Sequence, residues 1–230
     1  MNNPTPFKIT FHMQTPLCLG HPWVNGEGLI DYLMFRETLG EDYYNLPTNQ
    51  IITPINLPES PLKKTKINGL SVAHCSVAQF DVCLEQAGTV MVYKRFDEST
   101  CHKIDTTVRK INIGSGQFKA YAMRLPYLPA TKVTFYCCGD MDEVARLVGF
   151  LAGLGKKTAI GYGAIKSFSV EETDIDYSLY KDFKAMRPLP CAMGFDSAEK
   201  MVLAYKTPYW AKENHVPCVP PGAMLSRIAK

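Results

Sequence analysis

An α+β fold, with an antiparallel sheet covered on one face by two helices, follows from three observations. The first segment alternates apolar and polar residues, as do three later ones. Two stretches show helical periodicity with capping residues at their ends. At 230 residues and 46% hydrophobic composition, the chain is long enough to bury a substantial core.

Phe7, Ile9, Phe11 and Met13 fall on one side of a strand, with Lys8, Thr10 and His12 on the other. A loop holding Pro16, Gly20, Pro22, Gly26 and Gly28 leads into Leu29–Leu39, where Leu29/Leu33 and Ile30/Met34 have i, i+4 spacing. Gly40 supplies a helix stop. Residues 41–66, rich in Pro, Asn and Thr, read as a long connection. Ser71–Gln79 and Thr89–Tyr93 read as strands, and the polar stretch from Arg95 to Ser115 as a projecting, basic hairpin or loop.

Gln117–Leu125 and Thr131–Cys138 are β-rich and joined by Pro126-Tyr127-Leu128-Pro129-Ala130, which predicts an antiparallel pair. Asp140 is placed to cap a second helix, with Glu143 completing a capping box. Val144, Leu147, Val148, Leu151 and Leu154 form its apolar stripe, and Ala164–Val170 alternates again as a last strand. With the insertion at about 60–116 set aside, the order is β-α-β-β-α-β, a ferredoxin-like (RRM-like) arrangement over residues 1–173. Residues 174–230 hold six of the sixteen prolines and are expected to pack on the same domain as an irregular tail, with a short hairpin near Met201–Tyr205.

Between the second helix and the last strand lies Gly153-Leu154-Gly155-Lys156-Lys157-Thr158-Ala159-Ile160-Gly161-Tyr162-Gly163. Its order, helix then loop then strand, excludes dinucleotide-binding and P-loop readings, which need a strand before and a helix after. Glycines permit positive φ and close approach of the backbone to a ligand, while Lys156, Lys157 and Thr158 offer charge and a hydroxyl to phosphates. Tyr162 suits stacking on an unpaired base or anchoring in the core. Lys94-Arg95 and Arg109-Lys110 suit either RNA phosphates or a solvated hairpin, and His21, near Trp23, suits either a base or loop packing.

Charge is uneven. Residues 63–132 carry eleven basic and five acidic side chains, whereas residues 1–62 carry two and six. That middle excess favours a polyanionic partner. The eight cysteines lack any C-x-x-C pair, and the adjacent Cys137-Cys138 would point to opposite faces of a strand, so no metal or cofactor is expected. Met1-Asn2-Asn3-Pro4 lacks the basic start and apolar run of a signal peptide, and a reducing cytoplasm with free thiols is the expectation.

The pattern h-G-x-G-x5-G-x-G, matched by Gly153, Gly155, Gly161 and Gly163 with Leu154 between the first two, resembles the CRISPR-associated RAMP superfamily. With Leu29–Met34, Pro208-Tyr209-Trp210, Cys218 and Pro220-Pro221, the chain looks more specifically like the small RAMP subunit of type IV CRISPR effector complexes. The resemblance implies a non-catalytic subunit that caps the 5′ handle of CRISPR RNA and uses its insertion as a thumb. It implies contacts with the backbone RAMP subunit, the large subunit and target DNA near the handle, in an RNA-guided DNA-targeting complex. Some handle-capping relatives cleave precursor RNA without metal, so an endoribonuclease is the alternative. Of the five histidines, none has a partner legible in the sequence.

Overall fold

The structure, a computed structural model, describes residues 4–45, 59–103 and 111–228. Along the chain run β1 (Thr5–Met13), β2 (Leu17–Cys18), α1 (Gly26–Leu39), β3 (Lys64–Ile67), β4 (Leu70–Ala73), β5 (Gln79–Phe80), β6 (Gly88–Lys94) and β7 (Tyr121–Leu128). Then come β8 (Lys132–Gly139), α2 (Met141–Val148), β9 (Ile165–Glu172), β10 (Tyr180–Lys181), β11 (Lys184–Ala185), β12 (Leu189–Pro190), β13 (Met201–Ala204) and β14 (His215–Val219). The protein is mixed α/β, with few helices and several antiparallel sheets.

The main sheet has the order β5-β8-β1-β9. β1 occupies its centre because its alternation gives one fully apolar side. Phe7, Ile9 and Phe11 are buried and face Cys137, Phe135 and Val133 of β8 in register. Ile30, Leu33 and Met34 of α1 and Val144, Leu147 and Val148 of α2 join the same buried cluster, so both helices cover that side. α1 begins a turn earlier than its periodicity predicted and stops where Gly40 takes φ +53°. At α2 the Asp140 carboxylate accepts from the Glu143 N–H at 3.1 Å. Half of the predicted capping box forms, because the Glu143 carboxylate turns to Arg146 instead.

The predicted hairpin of Gln117–Leu125 with Thr131–Cys138 does not form. β7 pairs with β6 from Gly88↔Tyr127 to Lys94↔Tyr121, and with β2 through Leu17↔Leu128. Both edges of β8 are already taken, by β1 and by the segment around Cys75–Phe80, where Cys75 bridges Cys137 and Gln79 pairs with Thr134. Part of the sequence between 60 and 116 therefore edges the main sheet. β6 and β7 extend away from it in a second sheet of order β2-β7-β6. β3 and β4 close a hairpin through Asn68 (φ +52°) and Gly69 (φ +76°), the residue pair that a two-residue turn favours.

The tail is more regular than expected. β13 and β14 form the anticipated hairpin, β12 adds to it, and β10–β11 form another. These strands bury their own cluster, including Leu189, Met193, Phe195, Tyr205 and Val219, against Val72 of β4. Arg187 joins the tail to the main body. It is 2% exposed, bonds Glu27 of α1 at 2.8 Å, and donates to the carbonyls of Ala73 and Tyr205.

Candidate functional site

The glycine loop folds back on itself and onto the strand that follows β1. Leu154 N–H donates to Gly163 O at 2.9 Å, Gly163 N–H to Pro16 O at 2.8 Å, and Lys156 N–H to Cys18 O at 2.7 Å. Side chains are excluded along this seam. A Cβ on Gly163 would lie 1.9 Å from Leu154 O, and one on Gly155 would lie 2.7 Å from Cys18 O, both at positive φ. Gly153 approaches Gly163 O similarly, whereas Gly161 has φ +97° and open space around it. The close approach that the glycines permit is thus made by the protein's own backbone, and the amides of Leu154, Lys156 and Gly163 are spent on it.

The two lysine side chains of the loop meet residues remote in sequence. Lys156 is exposed and lies over Gly20, where a Cβ would come within 2.3 Å of its ammonium nitrogen. Lys157 takes the left-handed conformation (φ +64°), which turns its chain towards β7. Its Nζ donates to Tyr121 Oη at 2.8 Å and sits 5.0 Å from that ring centre. This hydrogen bond, with the charge of Lys157 and of Lys94 behind it, holds the Tyr121 hydroxyl below the usual tyrosine value. Lys94 is paired with Tyr121 across β6 and β7. Both loop lysines also act on the buried Cys18 thiol, whose pKa burial raises while Lys157 and Lys156 oppose the rise.

Thr158 is exposed at the turn Thr158–Ile160. Tyr162 is half-buried and packs against Cys18, Val92 and Leu125, an anchoring position between the loop and the β2-β7-β6 sheet. Arg95 is exposed just beyond β6. Arg109 and Lys110 lie outside the described residues. His21 is exposed beside Trp23, their ring centres 5.2 Å apart, and accepts from the Trp23 N–H at Nδ1 over 3.3 Å. These two residues line a cleft of about 310 Å³ with Tyr209 and His215 of the tail. Lys94 and Lys157 therefore meet at Tyr121, while Lys156 lies over Gly20, the residue before His21.

Two features escaped the sequence. Tyr121 lies in a run that looked like an ordinary core strand, and its role depends on β7 pairing with β6. His74, Cys138 and Asp176 place their ligand-capable atoms within 4.8 Å of one another, a grouping no local spacing announces. His74 Nδ1 lies 2.6 Å from Asp176 and its Nε2 2.7 Å from Thr65 Oγ1, so both ring nitrogens are already hydrogen-bonded. Ligands sharing a tetrahedral zinc would stand roughly 3.3 Å or more apart, so the 2.6 Å contact is that of a directly bonded His–Asp pair. Burial alone would raise the Asp176 pKa, but hydrogen bonds from His74 and Ser178 outweigh it and hold the carboxyl well below the usual range. Burial and the Asp176 charge push the Cys138 thiol up to about 11.

No described helix is long and apolar enough to cross a membrane. The fold and the site define a mixed α/β protein with a packed glycine seam beside one exposed lysine, Lys156, and one half-buried lysine, Lys157. A family model described as CRISPR type IV associated protein Csf3 matches residues 5–221, and the chain belongs to that family. A comparison with curated proteins found no match.

Proposed function

We propose that this chain is the non-catalytic RAMP subunit that binds and caps the 5′ handle of CRISPR RNA in a type IV effector complex. Membership of a type IV CRISPR-associated family supports the setting. The sheet order β5-β8-β1-β9, with α1 after its first strand and α2 before its last, is compatible with a ferredoxin-like sheet and supports the RAMP reading. The observation that carries the reading is the meeting of Lys157 and Lys94 at Tyr121, where the glycine loop reaches β6 and β7, with the exposed Lys156 next in the chain and lying over Gly20. These lysines offer contacts for successive phosphates, and the exposed Arg95 follows Lys94 in the chain. In this reading the β6–β7 projection reaches the neighbouring backbone subunit, the large subunit and target DNA lie close by, and the complex works in the cytoplasm.

The test is RNA binding by the full chain over a range of salt concentrations. Replacing Lys156 and Lys157 by alanine should weaken binding of single-stranded repeat RNA and flatten the log–log salt dependence by about 0.7 per lost phosphate contact. Unchanged affinity and slope would overturn the proposal. The second reading, a metal-independent endoribonuclease, draws on His21 and His215 lining one cleft. Cleavage of labelled repeat RNA in excess chelator, lost in His215→Ala, would favour it.

A further inference from the structure

We infer that the cleft between the β2–α1 connection and the tail is a subsite for one unpaired RNA base. The inference rests on the RNA reading above and adds a second, base-recognising place beside the phosphate-binding lysines. Its walls are His21 and Trp23 from the N-terminal side, and Tyr209 and His215 from the tail. At about 310 Å³ the cleft is at the small end of ligand sites, a size that suits a single nucleotide.

The polar edges of the two histidines are complementary. His215 Nδ1 lies 2.8 Å from Ala211 O, and a carbonyl only accepts, so Nδ1 carries the proton and Nε2 is an acceptor in the neutral ring. His21 Nδ1 accepts from the backbone N–H of Trp23, which leaves its proton on Nε2 as a donor. The two rings that line the cleft therefore carry one donor and one acceptor. A base edge carries an adjacent acceptor and donor, such as N1 and N6–H of adenine or N3 and N4–H of cytosine. The half-buried Trp23 offers the ring for stacking. Tyr209 is fixed as a wall, because its ring covers Gly28 and its hydroxyl reaches Glu27 at 3.3 Å.

Position selects RNA over a free small molecule. The Lys156 ammonium lies over Gly20, the residue before His21, so a phosphate at Lys156 and a base in the cleft are within reach of one nucleotide.

Two measurements on the full-length protein test the subsite. In the first, a single-stranded repeat RNA with one abasic nucleotide moved along its length is titrated against the unaltered protein. One position should bind about tenfold more weakly than the rest, the loss of one stacked base. In the second, tryptophan fluorescence is followed, since the chain has only Trp23 and Trp210. Quenching by RNA should survive Trp210→Phe and disappear in Trp23→Phe, and His215→Ala should erase the dependence on the abasic position. Equal affinity at every abasic position, or quenching that persists in Trp23→Phe, overturns the subsite while leaving the RNA reading in place. A protein that binds no RNA overturns both. Cleaved RNA overturns the holding role by making the two histidines an acid and a base.

Discussion

Replacement of Arg187 by methionine tests how the tail is held to the body of the protein, and so what fixes the wall bearing Pro188 and His215. Arg187 and Glu27 are 2% and 5% exposed, with Nη2 and Oε2 2.8 Å apart. Methionine fills much of the same space but leaves the Glu27 carboxylate buried without its cation. Removing one partner of such a pair costs about 3–5 kcal/mol. For a chain of this size each kcal/mol lowers the melting temperature by about 2–4 °C, so the variant should melt roughly 6–20 °C lower. Arg187 Nε has no hydrogen-bond partner among the described residues, so the guanidinium is not fully satisfied and the lower half of that range is the better expectation. Adding Glu27→Gln, which removes the stranded charge, should raise the melting temperature above that of the single variant. The assay is thermal unfolding by circular dichroism of all four proteins in the cycle. A fall below about 2 °C for Arg187→Met, or strictly additive losses in the double variant, would refute the buried-pair account.

Gly163→Ala should destabilise the protein by at least about 3 kcal/mol, because its methyl would meet Leu154 O at 1.9 Å. Gly161→Ala, with open space and only its positive φ to offend, should cost about 1–2 kcal/mol, and equal effects on thermal melting would contradict the packing account. Asp176 has a folded-state pKa below its unfolded value of about 3.9, so its stabilising effect is fully present above that pH and is lost as pH falls through and below it. Asp176→Asn should therefore be less stable near neutrality yet lose less stability between about pH 5 and pH 2, as read by urea unfolding; identical acid slopes would count against the His74–Asp176 pair.

What the sequence made legible was whatever one face or one turn decides. β1 showed itself because its burial is one-sided, and α2 because Asp140 has its acceptor three residues from the amide it caps. Asn68-Gly69 carried an equally local signal for the β3–β4 hairpin, inside a stretch that composition alone marked as connection and strand. The pairing of β7 was not local. Neighbouring strands usually pair, and the five-residue proline link looked like their turn, yet β7 finds the apolar side of β6, where Val90 faces Leu125 and Val92 faces Met123. The tail's sheet was hidden for the same reason, since β12 joins β14 across 24 intervening residues.

The glycine loop shows where reading a motif divides into two questions. The positions of Gly153, Gly155 and Gly163 are explained by contacts with Gly163 O, Cys18 O and Leu154 O, all of which belong to the protein. Those glycines are fold determinants, and substituting them alters the seam that orients everything beside it. The chemistry available to a ligand lies instead on Lys156, Lys157 and their neighbours Lys94, Tyr121 and His21, which only the folded chain brings together. Loss of RNA binding in a glycine variant would therefore say little about recognition, whereas loss in a lysine variant of unchanged melting temperature would report on the surface itself. That distinction is cleanest for Lys156, because an exposed lysine contributes little to stability, while a methyl forced against a carbonyl cannot avoid doing so.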